Sequence, residues 1–435
     1  MPRHLVIQLA RFGDIIQTGR LVRSLVATGD ETHLCVDRSL VELARRIYPA
    51  CEIHGVVAHA GSELQALTQN RTCFAELAQL SFASVYNLNY SGMNRAMATL
   101  FDPAIVRGYS VDNGQPLRER WMRMAFRWTL HRRFAPVNLV DFWGLLAPDP
   151  LPPDKVNPVA TPGGRGLGVV LAGRQARRSL PPEVLATVIQ ARFEALGGPP
   201  VTLFGSASER PVGRQLMRHL SRQVVGKTDN LAGRTDWGSL MEALTGLDTL
   251  LTPDTGTMHL AARLGVPVLG VFLSSAWAWE TGPYGLGHRV WQAVPPCAPC
   301  AEIAPCVADM DCLAPFRSPA FLLALAERNT GQKKANTCVP GLLAQDTAFD
   351  ELGLIWKTAS ADAAHDLPSD PAAARRTALR TLLMEYQGLA PTATCAQSPP
   401  PLLADGTLAE NLYPEADWML PGSFRSTCSC RRRDA

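Results

Sequence analysis

Long hydrophobic runs and an excess of one charge are both missing from this sequence. Its 435 residues contain no stretch of about 18 uncharged apolar residues, so we expect no membrane-spanning helix. The 42 lysines and arginines are nearly balanced by 39 aspartates and glutamates, which gives a net charge of +3. This near balance of charges excludes a chain dedicated to binding nucleic acid. Any anionic partner must therefore be bound at a local site.

A secretory signal is also missing from the first residues. The apolar run from His4 to Leu9 is short, is followed by Arg11 and Asp14, and has no small-residue cleavage site after it. We therefore expect a cytoplasmic protein.

An even number of cysteines is lacking too, because the chain has 11. This excludes a fully paired set of intrachain disulfides. Four of the cysteines fall within sixteen residues: Cys297, Cys300, Cys306 and Cys312. In a large cytosolic protein, such a cluster favours metal binding or redox chemistry over disulfide bonds. A structural zinc site, reduced or redox-active thiols, and an iron–sulfur cluster all remain open from the sequence.

What is present is typical of a globular α/β protein. Hydrophobic residues make up 46% of the chain and charged residues 19%. Apolar runs that predict strands alternate with helical patterns, which favours parallel sheets covered by helices. The predicted strands lie at residues 4–9, 32–37, 83–88, 166–171, 201–205, 249–252 and 266–272.

Five prolines between Pro148 and Pro158 divide this pattern into two regions. We predict an α/β fold with two Rossmann-like domains, at residues 1–150 and 151–330, that face a cleft. A C-terminal extension at residues 331–435 is predicted to be partly helical, with a helix from Ala372 to Tyr386, and the sequence assigns it no role. Ligands bind open α/β sheets at the carboxyl ends of the strands, so site residues should directly follow strands.

A strand-to-helix junction near residue 254 is the clearest candidate site. The strand ends in Pro-Asp-Thr-Gly-Thr-Met-His at residues 253–259, and a helical pattern follows. Free N–H groups and the positive dipole end of a helix N-terminus favour phosphate. The same residue types are also typical of an ordinary helix cap, with Asp254 or Thr255 as the N-cap.

The sequence Arg-Phe-Gly-Asp at residues 11–14 takes the equivalent place after the first strand. An acidic side chain in such a loop can act as a general base or hold a sugar hydroxyl. Asp14 can equally be a helix cap.

Together these two motifs resemble those of glycosyltransferase family 9, the heptosyltransferase-like enzymes. The sequence Arg-Phe-Gly-Asp-Ile-Ile-Gln-Thr at residues 11–18 is similar to the family's N-terminal motif, and residues 253–267 are similar to its C-terminal signature. Asn-Leu-Ala-Gly-Arg-Thr at residues 230–235 and Gly-Pro-Tyr-Gly at residues 282–285 also resemble family segments. The resemblance covers roughly residues 4–325.

This resemblance implies a two-domain fold of the GT-B type and the inverting transfer of a sugar from a nucleotide-sugar. The donor implied is typically ADP-heptose, and the acceptor is the lipopolysaccharide core or a related envelope glycan. Asp14 is implied as the catalytic base, within an N-terminal loop that includes Arg11, Gly13 and Thr18. No metal cofactor is implied for catalysis, since helix N-termini and a basic side chain neutralise the leaving diphosphate.

The resemblance also implies a donor site in the second domain. Arg178 falls at the position of the family's phosphate-binding lysine, although the usual Lys-Arg-Trp-Pro reads Arg-Ser-Leu-Pro here. Glu209 falls at an acidic position implied to contact the nucleoside. The full set of implied donor-binding residues is Arg178, Glu209, Asp254, Thr255, Gly256, Met258 and His259. Of these, Asp254, Thr255, Gly256 and Met258 are implied to hold the pyrophosphate through their backbone amides.

A basic and aromatic segment at residues 118–134 has two interpretations. Its six arginines alternate with Trp121, Met124, Trp128 and Phe134. Such a segment can contact anionic headgroups or a phosphorylated glycolipid at the membrane surface. Its aromatic residues can instead belong to the core of the first domain.

The sequence therefore predicts an inverting glycosyltransferase that acts at the cytosolic face of the inner membrane. Its expected partners are a nucleotide-sugar donor and a glycolipid or oligosaccharide acceptor, with no nucleic acid. A nucleotide-sugar epimerase of the same fold and a non-catalytic sugar-nucleotide-binding or interaction protein are the alternatives.

Overall fold

The computed structural model describes residues 1–58, 62–125, 132–171, 176–300, 305–326, 338–358 and 372–389. The chain divides into two compact units, the first formed by residues 1–152 and 371–435 and the second by residues 153–370. Arg127, Trp128 and the proline- and cysteine-containing tail beyond residue 389 lie outside the described residues.

The first unit is built on a six-stranded sheet in the order β3-β2-β1-β4-β5-β6. Strands β1 to β5 are parallel, and β6 pairs antiparallel with β5. Strand β1 is buried from His4 to Gln8, as expected for a central parallel strand covered on both faces. The strands are β1 Arg3–Gln8, β2 Glu31–Asp37, β3 Glu52–Val56, β4 Ser84–Asn87, β5 Val106–Asp112 and β6 Gln115–Arg118.

Eight helices of the described residues accompany this sheet. They are α1 Phe12–Gln17, α2 Gly19–Ala27, α3 Val41–Ile47, α4 Glu63–Gln79, α5 Gly92–Ala98, α6 Arg120–Ala125, α7 Leu139–Gly144 and, later in the chain, α15 Ala373–Tyr386. A buried ion pair joins α2 to α7, because Nη1 of Arg20 lies 2.7 Å from Oδ1 of Asp141. Helix α15 reaches the same unit through hydrogen bonds from Arg376 and Arg380 to the carbonyls of Arg133 and Pro136.

The second unit is built on an eight-stranded sheet in the order β14-β13-β12-β11-β10-β7-β8-β9. Strands β7 to β12 are parallel, whereas β13 and β14 are antiparallel. The strands are β7 Leu167–Val170, β8 Val201–Phe204, β9 Thr228–Asn230, β10 Thr249–Thr252, β11 Val268–Phe272, β12 Arg289–Ala293, β13 Leu342–Phe349 and β14 Leu354–Thr358.

Seven helices of the described residues belong to the second unit. They are α8 Pro182–Ala195, α9 Arg210–His219, α10 Arg222–Val225, α11 Trp237–Leu244, α12 Gly256–Arg263, α13 Ala278–Thr281 and α14 Pro319–Ala326. Two residues after the end of α12 lies Gly265, whose φ of +74° is easily adopted only by glycine. The N–H of Val266 then bonds the carbonyl of Ala261, and the chain turns into β11. The Leu-Gly-Val-Pro end of the predicted motif is thus a helix-stop signal.

In each unit the strand order reverses beside the first strand of its sheet. The first sheet reverses between β1 and β4, and the second between β7 and β10. In open α/β sheets the crevice outside the carboxyl ends of the strands at such a reversal is the usual ligand-binding place. Asp14 follows β1, Arg178 follows β7, and Asp254 follows β10, so each predicted residue lies beside a reversal.

The predicted α/β fold class is confirmed, because two parallel-dominated sheets are present. The second sheet continues past residue 330, where the sequence analysis ended the second domain. Strand β13 was not predicted because its buried positions recur every third residue, at Leu342, Gln345 and Ala348, rather than every second. Strand β14, which pairs with β13, was not predicted either. Within the described residues, no helix has both the length and the apolar character needed to cross a membrane.

Candidate active site

Asp14 occupies the first turn of α1, directly after the central strand of the first sheet. One carboxylate oxygen, Oδ2, accepts the N–H of the N-cap residue Arg11 at 3.0 Å. The side chain is partly exposed, whereas Ile15 and Ile16 after it are buried. The carboxylate is therefore oriented by the backbone of its own loop and still reaches solvent. A cap and a general base are compatible descriptions of this residue.

The other predicted residues of the N-terminal loop divide by burial. Arg11 is exposed at the N-cap of α1, and Gly13 lies in the first helical turn. Thr18 is fully buried, and its hydroxyl donates to the carbonyl of Ile15 at 2.6 Å. Tyr48 donates to the same carbonyl at 2.8 Å. Thr18 thus stabilises the junction between α1 and α2 from the protein interior.

A buried polar network surrounds Asp254 at the carboxyl end of β10. Its Oδ2 accepts Nη1 of Arg178 at 3.2 Å and the hydroxyl of Thr281 at 2.9 Å, while its Oδ1 lies 3.8 Å from Nε2 of His259. Only 6% of the Asp254 side chain is exposed, against 24% of Arg178. A buried carboxylate requires such partners. Asp254 therefore fixes the guanidinium of Arg178 at the edge of the sheet.

His259 is neutral in this network. Burial lowers its pKa to about 4, against an opposing effect of Asp254 and an additional lowering by Arg178. The neutral ring faces the carboxylate without adding a second positive charge. The positive charge of this part of the site is therefore that of Arg178.

The N-terminus of α12 presents backbone donors beside this network. Thr255 is the N-cap, and it accepts the N–H of Met258 through both its side chain and its carbonyl. Its carbonyl also accepts the N–H of His259. Within the described part of the chain, no hydrogen bond occupies the N–H groups of Gly256 and Thr257, which are half-exposed. Met258 was predicted to bind through its amide, but the amides at residues 256 and 257 are the available ones.

The segment that carries Arg178 is tied to the loop after β11. Ser275 donates its hydroxyl to the carbonyl of Arg177 at 3.1 Å, and the guanidinium of Arg177 lies 3.2 Å from Sγ of Cys300. Cys300 in turn donates its N–H to the carbonyl of Ser274 at 2.8 Å. These contacts position Arg178 from a side that sequence analysis did not foresee.

Glu209 lies at the carboxyl end of β8, next to β7 in the sheet. Its carboxylate accepts the N–H of Ser206 at 2.5 Å and closes the turn after that strand. The segment at residues 230–235 packs against this turn, where Gly233 has a φ of +64°. A side chain at Gly233 would approach the Cα of Ala207 to 2.6 Å. Glycine is therefore required there by the close approach of two backbones.

Thr281 is the site residue that the sequence analysis missed. It ends α13 and immediately precedes the Gly-Pro-Tyr-Gly segment, which had been noted only for its family resemblance. Within that segment Tyr284 is buried and packs 5.3 Å from the ring of Phe349. The segment is structural, and it delivers Thr281 to Asp254. The signal available in the sequence was the polar Thr281 directly before that motif.

The four clustered cysteines do not form a ligand set. Cys312 is buried in the core of the second unit, whereas Cys306 is exposed and its Sγ accepts the N–H of Met310 at 3.3 Å. Among the described residues, three or more metal-binding atoms converge only at His33, Glu52 and His54. The zinc hypothesis for Cys297, Cys300, Cys306 and Cys312 is therefore not supported.

The basic and aromatic segment contributes at least one aromatic ring to the core. Trp121 is 2% exposed, donates from Nε1 to the carbonyl of Phe142 at 2.8 Å, and stacks on Tyr386 of α15. Trp121 is therefore a core residue rather than a membrane contact. Residues 126–131 of the segment lie outside the described ranges.

Comparison with known proteins shows which sequence family part of the second unit is similar to. Residues 183–307 match the sequence model of glycosyltransferase family 9 (heptosyltransferase). This range includes Asp254, Thr281 and the whole of α12, while Arg178 lies five residues before it. The predicted resemblance is confirmed over this segment, which contains the motif at residues 253–267 and not the one at residues 11–18.

A curated protein with a similar sequence is also a heptosyltransferase. A stretch of 72 residues is 32% identical to lipooligosaccharide heptosyltransferase 2 of Haemophilus influenzae, covering 17% of this chain and 21% of that protein. The alignment therefore spans about a fifth of the curated relative.

Solved structures share the fold over a longer range. Escherichia coli ADP-heptose lps heptosyltransferase II has a TM-score of 0.50 at 18% identity, over 66% of this chain and 89% of that one. Escherichia coli heptosyltransferase WaaC with ADP has a TM-score of 0.51 at 15% identity, over 69% and 96% of the two chains. At these identities the similarity shows the fold.

Proposed function

We propose that this protein is an inverting glycosyltransferase that moves a sugar, heptose, from an ADP-linked donor to a lipopolysaccharide-core or related envelope glycan. The observation that carries the proposal is the ion pair between Arg178 and Asp254 beside the N-terminus of α12. A guanidinium and free backbone amides, at the reversal of a parallel sheet, suit a diphosphate. The family match and the ADP-bound structural relative support the same donor class.

In this proposal the second unit binds the donor and stabilises the leaving group. Arg178 and the N–H groups of Gly256 and Thr257 take the diphosphate oxygens, and Thr255 fixes the helix start. Asp254, Thr281 and His259 act behind Arg178, since they orient it and do not contact the donor. Glu209, at the end of the neighbouring β8, takes the nucleoside hydroxyls. The hydrogen-bond donors of Arg178 and α12 are fixed before the reaction, which is the condition for effective stabilisation of developing charge.

Asp14 is the proposed general base. Its carboxylate takes the proton of the acceptor hydroxyl, and the hydroxyl oxygen attacks the anomeric carbon as the bond to the diphosphate breaks. Attack opposite the leaving group inverts the configuration at that carbon. The nucleoside diphosphate leaves with the electron pair of the broken bond, bound by Arg178 and the start of α12.

The acceptor and the cellular location belong to the same proposal. An envelope glycan precursor on a lipid is built at the cytosolic face of the inner membrane, and a peripheral enzyme at that surface reaches it. The exposed arginine Arg120 and its neighbours in the segment at residues 118–134 are the proposed contact with anionic headgroups.

The experiment that tests this function combines donor binding with product analysis. Purified protein is screened by thermal shift against ADP-, GDP-, UDP- and dTDP-sugars, and the stabilising donor is incubated with and without a lipopolysaccharide-core acceptor. We expect ADP-heptose to raise the melting temperature and a glycosylated acceptor to form. Conversion of the nucleotide-sugar without an acceptor would identify an epimerase instead. Binding without any turnover would identify a non-catalytic binding protein.

A further inference from the structure

Two histidines and a glutamate converge on one face of the first sheet, away from Asp14. His33 is the third residue of β2, Glu52 is the first residue of β3, and His54 follows two residues later. The strands pair in parallel with His33 opposite Glu52, so all three side chains share a face. This group lies toward the amino ends of the strands, whereas Asp14 follows the carboxyl end of β1.

The ligand atoms of this group are close together. One nitrogen or oxygen from each of the three side chains lies within 4.8 Å of the others. Nδ1 of His33 and Nε2 of His54 are only 2.8 Å apart, and the two rings are parallel within 7°. His33 is buried, His54 is partly buried, and Glu52 is exposed, so an ion can enter from the Glu52 side.

An outer carboxylate fixes the tautomer of His33. Its Nε2 lies 2.9 Å from Oε1 of Glu31, whose other oxygen, Oε2, accepts the Nε–H of Arg3 at 2.7 Å. The carboxylate of Glu31 accepts the N–H at Nε2 of His33. With the ring proton on Nε2, Nδ1 of His33 accepts the Nε2–H of His54. Metal-binding histidines almost always donate their second nitrogen to such a carboxylate.

We propose that His33, His54 and Glu52 bind a divalent transition-metal ion, with Glu31 and Arg3 as the outer partners of His33. Two imidazoles and one carboxylate suit ions of the zinc class, and water completes a tetrahedral set. Bonds of about 2.0–2.1 Å would place the two nitrogens about half an ångström farther apart than they are now. The proton of the present N–H···N bond moves to Nδ1 of His54, which remains neutral and becomes a ligand through Nε2.

The place of this group in the sheet determines what a bound ion would do. Because the group includes residues of β2 and β3, bound metal would cross-link the edge strand β3 to its neighbour β2. The ion would therefore stabilise the first unit, and it lies outside the proposed transfer reaction.

The test is a Zn²⁺ titration of the demetallated full-length chain by calorimetry, with bound zinc counted by elemental analysis. His54→Gln and Glu52→Gln remove ligands, and Glu31→Gln removes the outer carboxylate. His219→Gln alters an exposed histidine of the second unit and is the matched control. Because Glu52 is exposed, Glu52→Gln remains informative if His54→Gln does not fold.

We expect wild type and His219→Gln to bind one equivalent of zinc more than His54→Gln and Glu52→Gln. Glu31→Gln should keep this equivalent with affinity reduced about 10–100-fold, as for outer partners of other metal sites. Co²⁺ serves as a spectroscopic probe, because cobalt bound to cysteine thiolates shows thiolate charge-transfer bands and cobalt bound to histidine and glutamate does not. The visible bands that His54→Gln loses should therefore lack thiolate charge transfer. Equal stoichiometry and affinity in wild type, His54→Gln and Glu52→Gln would overturn the proposal, and so would bound cobalt with thiolate bands only.

Discussion

The guanidinium of Arg178 lies 3.2 Å from the buried carboxylate of Asp254 and joins the segment after β7 to the end of β10. These are the two strands between which the order of the second sheet reverses. An aspartate directly beside a diphosphate would repel it. Paired with Arg178, the same aspartate holds a positive side chain in place, which explains why an acidic residue belongs to an anion-binding motif.

Replacing Arg178 should weaken nucleotide binding. Arg178→Ala is expected to reduce the affinity for ADP by about 1.5–3 kcal/mol, the range for a hydrogen bond to a charged group. Isothermal titration measures this change. Arg317→Ala is the matched control, because Arg317 is an exposed arginine of the same unit that pairs with Glu183. An unchanged dissociation constant in Arg178→Ala would show that Arg178 does not bind the diphosphate.

Removing the hydroxyl of Thr281 should destabilise the second unit. Thr281→Val keeps the side-chain shape but deletes a hydrogen bond to the buried Asp254 carboxylate. The expected loss is about 1.5–3 kcal/mol in the free energy of unfolding. In Thr245→Val the lost hydroxyl bonds an exposed helix end, and the expected change is within about 0.5 kcal/mol. Equal effects of the two substitutions would contradict the proposed role of Thr281.

The buried His259 should make stability depend on pH below neutrality. Its pKa of about 4 in the folded chain lies below the unfolded value of 6.5, so the unfolded chain binds the proton first. The associated stability is complete above pH 6.5 and is lost as the pH falls toward 4. Between pH 7 and pH 5 this loss amounts to about 2 kcal/mol.

His259→Gln removes that titration, and urea unfolding at the two pH values measures it. The variant should lose about 2 kcal/mol less than wild type on acidification. His288 is also buried, with a pKa lowered to about 3 by desolvation, and it continues to titrate in both proteins. If wild type and His259→Gln lost the same stability, His259 would not be the neutral buried group described above.

Transfer should survive chelation of divalent ions. Arg178 and the start of α12 supply the positive charge for the leaving diphosphate, so EDTA is expected to leave the turnover number within about twofold of its untreated value. The metal site proposed at His33 does not alter this expectation. It lies toward the amino ends of the strands of the first sheet, whereas Asp14 follows the carboxyl end of β1. Loss of transfer in a folded protein, restored by magnesium or manganese, would refute the metal-independent mechanism.

Local sequence signals predicted the fold class and seven of the fourteen strands of the described residues. Strand β10 at Thr249–Thr252 was predicted residue for residue, because an apolar run ends there at a Pro-Asp turn. The helix at Ala373–Tyr386 was also predicted within one residue. The two strands at the far edge of the second sheet were not predicted. The pairing of β13 with β12 and of β14 with β13 is a tertiary relationship, and the burial pattern of β13 does not alternate.

The sequence predicted which residues belong to the site, but it did not predict the contacts between their side chains. The sequence located Asp254 and Arg178, 76 residues apart, but periodicity cannot show that their side chains pair. It likewise could not distinguish the bonded amide of Met258 from the available amides of Gly256 and Thr257. The convergence of His33 and His54 depends on the parallel register of β2 and β3, which neither strand encodes alone.

The central claim is sugar transfer with Asp14 as the base, and the turnover of Asp14→Asn with ADP-heptose and a lipopolysaccharide-core acceptor tests it most directly. Asp102→Asn is the matched control, because Asp102 is an exposed cap of the same unit that accepts the N–H of Ala104 at 2.9 Å. We predict that Asp14→Asn lowers the turnover number by ~10²-fold or more, while ADP affinity and the turnover of Asp102→Asn stay near wild type. Near-wild-type transfer by a folded Asp14→Asn would contradict the account and leave Asp14 as a helix cap.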